Sequence, residues 1–126
     1  MKINIPAVHA EITDAFWRYT NALIVNDIDT VIGLFWHSEH TLRYGVTENL
    51  YGMDAIAKFR NGQRGNVIER EVTRLVITSY GEDYGTANSE ILRIDTGDAG
   101  RMSHTWVRFV EGWRIVAAHV SAGPRL

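Results

Sequence analysis

"RMSHTWVRFVEGWRIVAAHVS", residues 101–121, decides the fold. Arg101 to Val110 and Trp113 to Val120 are two runs rich in β-branched and aromatic residues, joined only by Glu111 and Gly112. A two-residue link containing glycine is hairpin chemistry, and strands joined so tightly must run antiparallel. Upstream, Val67 to Ser79 and Tyr84 to Asp95 repeat the pattern, and the linkers SYGED and TGDAG carry turn-forming residues. Alternation then sorts the side chains. Met102, His104, Trp106, Arg108 and Val110 share one side of the first run, opposite Arg101, Ser103, Thr105, Val107 and Phe109. In the second, Trp113, Ile115, Ala117, His119 and Ser121 oppose Arg114, Val116, Ala118 and Val120. Neither run has a clean polar side. Both faces of the sheet are therefore expected to be covered, one by helices and the other by a second copy of the chain, which makes a homodimer through the sheet face.

The first two-fifths of the chain has a different period. Val8, Ile12, Phe16 and Leu23 mark one face of a helix over about Ala7 to Asn26. Pro6 suits its first turn. A second, short helix is expected over Thr30 to Trp36, with Asp29 as N-cap and Val31, Leu34 and Phe35 inward. A third runs from Met53 to the stop at Asn61-Gly62, and His40 to Val46 adds an edge strand before it. The order is α-α-β-α-β-β-β-β. The simplest way to bury these faces is an α+β cone over residues 1–126 as a single domain: a curled antiparallel sheet cupping the long N-terminal helix. Where the helix does not fill the cup, one small-molecule pocket remains.

Composition narrows the function. The chain has 126 residues, 45% hydrophobic and 22% charged, with a formal net charge of -2. That balance argues against nucleic acid and anionic membrane surfaces as partners. The absence of cysteine excludes disulfides and thiol catalysis. No apolar run reaches the roughly 18 residues of a membrane span, and MKINIPAVHAEITDAF lacks the apolar stretch of a signal peptide. A cytoplasmic location is expected.

Several residues sit where their chemistry is costly. Tyr19 lies three after Phe16 and four before Leu23, on the buried stripe. Its hydroxyl either bonds to backbone in the core or points into the cup. Arg43 falls inside the edge strand with Thr41 and Gly45, opposite Leu42 and Tyr44. Its head either reaches water or turns inward, where an unpaired guanidinium costs several kcal/mol. Turned inward, it needs Glu48, Glu90 or a ligand carboxylate held in arginine's two-pronged geometry. Arg60 and Arg64 stand four apart at a helix end, where they complement the helix dipole or draw in a second carboxylate. His119 is either a satisfied core histidine or a proton carrier on the pocket floor.

Other chemistries find little support. His37 and His40 flank Glu39 at a helix-to-strand junction with no third ligand apparent, so no metal is expected. No phosphate loop or serine nucleophile elbow occurs, and no cofactor is implied. Trp17, Trp36, Trp106 and Trp113 read as structural.

Four stretches, "FWRYTNALIVNDIDTVIGLFW", "TLRYGVTENLYG", "AIAKFRNGQR" and "GRMSHTWVRFVEGWRIVAAHVSAGP", together resemble the AtzH-like family of the nuclear-transport-factor-two-like (SnoaL-like, cystatin-like) cone superfamily. The resemblance spans nearly the whole chain. It implies an enzyme acting on a small N-carboxylated urea or ureido acid in nitrogen-compound catabolism. The reaction implied is removal of a carboxyl or carbamoyl group, hydrolytic or decarboxylative, beside an amidase. It puts the family's catalytic tyrosine and arginine on Tyr19 and Arg43. Arg43 would clamp the substrate carboxylate and Tyr19 would donate to the departing nitrogen or oxygen. Independently of the resemblance, polar groups on faces that should be apolar suggest further substrate-binding residues: Arg60 and Arg64 to hold a second carboxylate or draw the anion in, and Trp106, His119 and Ser121 to shape the pocket floor. His104 stands where relatives are expected to carry an amide side chain. The alternative is a non-catalytic ligand-binding or accessory subunit of an amidase pathway.

Overall fold

The computed structural model describes residues 1–67 and 69–124. The first helix, α1, runs Pro6–Ile24 with Pro6 in its first turn. It buries Val8, Ile12, Phe16 and Leu23, and Tyr19 with them, while Arg18 and Asn21 face solvent. Asn26 then takes a left-handed conformation, φ 58°, which asparagine tolerates better than most residues. This reversal starts the second helix, α2 (Ile28–Gly33), earlier than expected. Asp27, not Asp29, is its N-cap: Oδ1 accepts from the Thr30 N–H at 3.3 Å and Oδ2 from the Thr30 hydroxyl at 2.6 Å. Val31, Leu34 and Phe35 are buried as expected.

The edge segment forms β1 (Leu42–Tyr44) and folds back through Gly45 to Glu48 into a short partner, β2 (Asn49–Tyr51). Gly52, φ 85°, leads into α3 (Met53–Asn61). Four long strands follow: β3 (Arg70–Ser79), β4 (Tyr84–Arg93), β5 (Ala99–Phe109) and β6 (Gly112–Gly123). The expected order holds, with β2 as an added arm. The strand expected from Val67 begins at Arg70; Ile68 lies outside the described residues. The six strands form one open sheet in the order β2-β1-β6-β5-β4-β3. Its hairpins are antiparallel, and β1 lies parallel to β6.

Two bulges curl the sheet and change which residues face inward. In β6, Ile115 pairs with Trp106 and Ala117 with Thr105, so Val116 is an extra residue. In β3, Val72 pairs with Ile91 and Arg74 with Glu90, so Thr73 is extra. Because side chains alternate with a period of two, one extra residue moves everything beyond it to the other face. The inner face carries Ile77, Ala87, Met102, Trp106, Ile115 and Ala118. Against it lie Ile12, Phe16 and Tyr19 of α1, with Val31 and Phe35 closing one end. At Gly85 the helix comes so close that a β-carbon would collide with Ile12 Cδ1 and stand 2.8 Å from the Thr78 carbonyl oxygen.

The outer face carries exposed Arg74, Asn88, Glu90, Arg101 and Ser103. It is more polar than simple alternation from Trp113 suggested. Among the described residues, no helix is long and apolar enough to cross a membrane.

Candidate functional site

The packed end of the cone is filled by Phe16, Phe35 and Trp106. Toward the C-terminal end of α1 the filling stops, and a cavity of about 190 Å³ opens between α1, α3 and the sheet. A hollow that size suits a ligand of about benzene's bulk or slightly more. Five elements deliver its polar groups. Tyr19 comes from α1, Arg43 from β1, Arg60 from the last turn of α3, Arg70 from the start of β3 and His104 from β5. Glu48 reaches in from the β1–β2 turn.

The fold brings these groups in because the inward positions leave no choice. Arg43 pairs across the sheet with Ala118, and both face inward. Tyr19, Arg43, Arg60 and His104 are 1%, 8%, 7% and 4% exposed. Arg60 Nη2 donates to the Tyr19 hydroxyl oxygen at 2.7 Å. That leaves the tyrosine's own O–H free to donate. Arg43 Nη1 donates to Glu48 Oε1 at 2.6 Å. Glu48 Oε2 accepts from the Thr47 N–H and hydroxyl at 3.2 and 2.8 Å. Both guanidiniums lie near the Phe59 ring, at 5.1 Å for Arg43 and 5.8 Å for Arg60, a contact that favours cations over an aromatic face.

Charge in this hollow does not balance. Arg43 is paired with Glu48, and Arg93 at the rim is held by Asp95 through two bonds of 3.1 and 2.7 Å. Among the described residues, Glu48 is the one carboxylate lining the cavity. Arg60 and Arg70 have no carboxylate partner among them, and the Nε of each is buried without a hydrogen bond. Burial pushes the pKa of both below the usual arginine range, and each feels the positive charge of Arg43 as well. Arginine nevertheless stays protonated, so two positive charges remain for an outside anion. Partial burial raises the pKa of Glu48, but the bonds from Arg43 and Thr47 outweigh it and hold the carboxyl below its usual range. Burial, then the charges of Arg60 and Arg43, push His104 down to about 3. Its ring is therefore neutral at ordinary pH. It meets Tyr19 edge-on at 4.9 Å, and its Nδ1 is buried without a partner.

Of the residues singled out in the sequence, Tyr19, Arg43 and Arg60 converge. Arg64 does not join them: it is exposed, tied to Asp29 at 2.6 Å and to Asn61. Trp106 is fully buried beneath the floor, its ring 6.1 Å from that of His104. His119 and Ser121 border the cavity on β6, but the Val116 bulge moves them to the outer face. There His119 is exposed and its ring packs edge-on against Tyr44. His37 bonds to the Ile32 carbonyl and His40 lies 3.8 Å from Glu39, both at the surface. Arg70 was not anticipated. Counting alternate positions back from Ile77 puts it outside; the Thr73 bulge turns it inward beside Val72.

This arrangement has the charge to hold a small anion and places a phenolic hydroxyl beside it. No strongly basic group stands free beside it among the described residues.

Comparison with known proteins agrees with the architecture. A model of the AtzH-like family matches residues 1–124. A solved structure of a protein of unknown function from the DUF3225 family of Pectobacterium atrosepticum is 45% identical, with 96% of this chain and 94% of that one covered and a TM-score of 0.92. A cystatin-like fold protein from Burkholderia xenovorans is 38% identical, with 100% and 99% covered and a TM-score of 0.93. A nuclear transport factor 2-like superfamily protein from Salmonella enterica is 27% identical, with 95% and 93% covered and a TM-score of 0.76. No curated protein matches the chain.

Proposed function

The chain belongs to the AtzH-like family, and on that premise we propose that its cavity binds and turns over a small N-carboxylated urea or ureido acid. The observation that carries this reading is the pair of arginines, Arg60 and Arg70, that line a 190 Å³ hollow beside Tyr19 without carboxylate partners among the described residues. Burying such charges costs several kcal/mol each unless an anion arrives. Glu48 already holds Nη1 of Arg43. The substrate carboxylate is therefore shared among Arg43, Arg60 and Arg70 rather than clamped by Arg43 alone. The guanidiniums stabilise negative charge as it develops, and Tyr19 offers its proton to the departing nitrogen or oxygen.

The local chemistry favours loss of carbon dioxide over hydrolysis. Glu48 is held below the ordinary carboxyl range by its bonds to Arg43 and Thr47 and is a poor base for activating water. Decarboxylation needs no such base. The bond from nitrogen to the carboxylate carbon breaks, its electrons pass to nitrogen, carbon dioxide leaves and nitrogen takes a proton.

The ion pair between Arg43 and Glu48 also suits a second reading, a non-catalytic binding or accessory subunit that works beside an amidase. Incubating the purified protein with N-carboxy ureas, while following carbon dioxide and ammonia release, separates the two. Turnover that disappears in both Tyr19→Phe and Arg43→Ala supports the enzyme. Saturable binding without turnover supports the subunit, and neither binding nor turnover overturns both. A cytoplasmic homodimer joined through the outer sheet face belongs to the same proposal. Light scattering checks it: a mass near 14.3 kDa would contradict the dimer.

A further inference from the structure

Phe59 has neighbours unlike those of the other phenylalanines. The rings of Phe16, Phe35 and Phe109 each pack against another aromatic ring. Phe59 has no such partner among the described residues. It belongs neither to the apolar core nor to the partly buried residues packed on that core. It stands in the last turn of α3, three residues after the fully buried Ile56, and is half-buried where it lines the cavity. Its ring faces two cations instead: the guanidinium carbons of Arg43 and Arg60 lie 5.1 and 5.8 Å from the ring centre.

Those two cations need holding. Among the described residues, each is bonded to a side chain through a single nitrogen. Arg43 uses Nη1 on Glu48, and Arg60 uses Nη2 on the uncharged Tyr19 hydroxyl. A planar group held at one corner can pivot about it. The two also repel each other: burial above all, and the charge of Arg43 after it, push the pKa of Arg60 down. Arginine is long and flexible, so a repelled pair splays apart unless something opposes it. Ordering the pair only when a ligand arrives costs affinity. The negative face of an aromatic ring attracts a cation. One ring within reach of both guanidiniums offsets part of their repulsion and limits the pivot of each. An aliphatic side chain of similar size would fill the same space and offer neither cation anything.

We propose that Phe59 is a positioning residue for the anion site: its ring holds the Arg43 and Arg60 guanidiniums side by side, so that a ligand carboxylate meets both already in place. This rests on the reading of the cavity as an anion site and adds what keeps its like charges together.

The probes are formate and hydantoate, a ureido acid, titrated calorimetrically into the full chain. Phe59→Leu is expected to weaken both roughly three- to tenfold, about the worth of a contact or two between a cation and a ring. Phe59→Tyr, which keeps the ring, is expected to stay within about twofold of the wild type. Replacing Phe59 with 3,4,5-trifluorophenylalanine nearly keeps the shape but strips electron density from the ring face, and is expected to weaken both probes about threefold or more. A ring that only fills space predicts no change on fluorination. A ring that touches the ligand itself predicts tighter binding, because an electron-poor face attracts anions. Either result overturns the proposal and leaves the anion site standing, as does unchanged affinity in Phe59→Leu or a Tyr variant as weak as the Leu variant. If Phe59→Leu does not fold, the fluorinated protein decides alone. No binding of either probe by the wild-type protein, or binding that survives Arg43→Ala combined with Arg70→Met, overturns the anion site and this inference with it.

Discussion

Replacing Glu48 with glutamine should make the protein less stable and a better anion binder. Glu48 and Arg43 are 2.6 Å apart, with side chains 21% and 9% exposed. At an effective dielectric constant of about 20, charges at that distance attract by roughly 6 kcal/mol before desolvation is counted. Removing one partner of a buried pair costs about 3–5 kcal/mol. Glu48 is partly solvated, and glutamine still accepts a hydrogen bond, so a net loss of about 2 kcal/mol is expected. In a chain of 126 residues that lowers Tm by roughly 8 °C. The variant leaves Nη1 of Arg43 without its counter-charge, so formate should raise Tm more in the variant than in the wild type. The pH dependence follows from the depressed pKa of Glu48. Its contribution is complete above the unfolded carboxyl value of about 4.3 and is lost as pH falls through the lower folded value. The two melting curves should therefore converge as pH falls below that depressed folded value. Scanning calorimetry from pH 3 to 8, with and without formate, reads all of this. Equal Tm values at pH 7, or equal stabilisation by formate, would refute the electrostatic reasoning.

Tyr19→Phe removes the acceptor of Arg60 Nη2 and should cost about 1–3 kcal/mol in chemical denaturation, along with any turnover. Arg70→Met should move stability and binding in opposite directions. It removes a half-buried cation that has no carboxylate partner among the described residues, raising stability by about 1 kcal/mol while weakening formate binding, both readable in one thermal-shift titration. Arg64→Ala should change neither, because its ion pair with Asp29 is exposed and worth at most about 0.5 kcal/mol; a clear loss of ligand affinity would return Arg64 to the site.

The helices were legible because the spacing of Val8, Ile12, Phe16 and Leu23 allows one buried face, and Tyr19 falls on it. The hairpins were legible from their short glycine-bearing links. Arg43 could be suspected because a guanidinium inside an apolar strand needs a partner, and Glu48, already named as one candidate, is that partner. What failed has a common cause. A bulge is one unpaired residue, and nothing in the side-chain pattern of "WRIVAAHVS" or "REVTRLVITS" marks Val116 or Thr73 as that residue. Yet Val116 moves His119 and Ser121 out, and Thr73 moves Arg70 in. The cap at Asp27 was missed for a similar reason: it depends on the backbone of Asn26, not on a residue pattern. Local periodicity gave the elements. The far ends of the long strands, which line the cavity, depend on register set by the partner strand.

The most direct test is a crystal grown with hydantoate or formate. The expected result is carboxylate density in the cavity within hydrogen-bonding distance of Arg60 and Arg70, beside the Tyr19 hydroxyl. Ordered water alone on those guanidiniums at saturating ligand, or a carboxylate bound only on the outer face of the sheet, would contradict it.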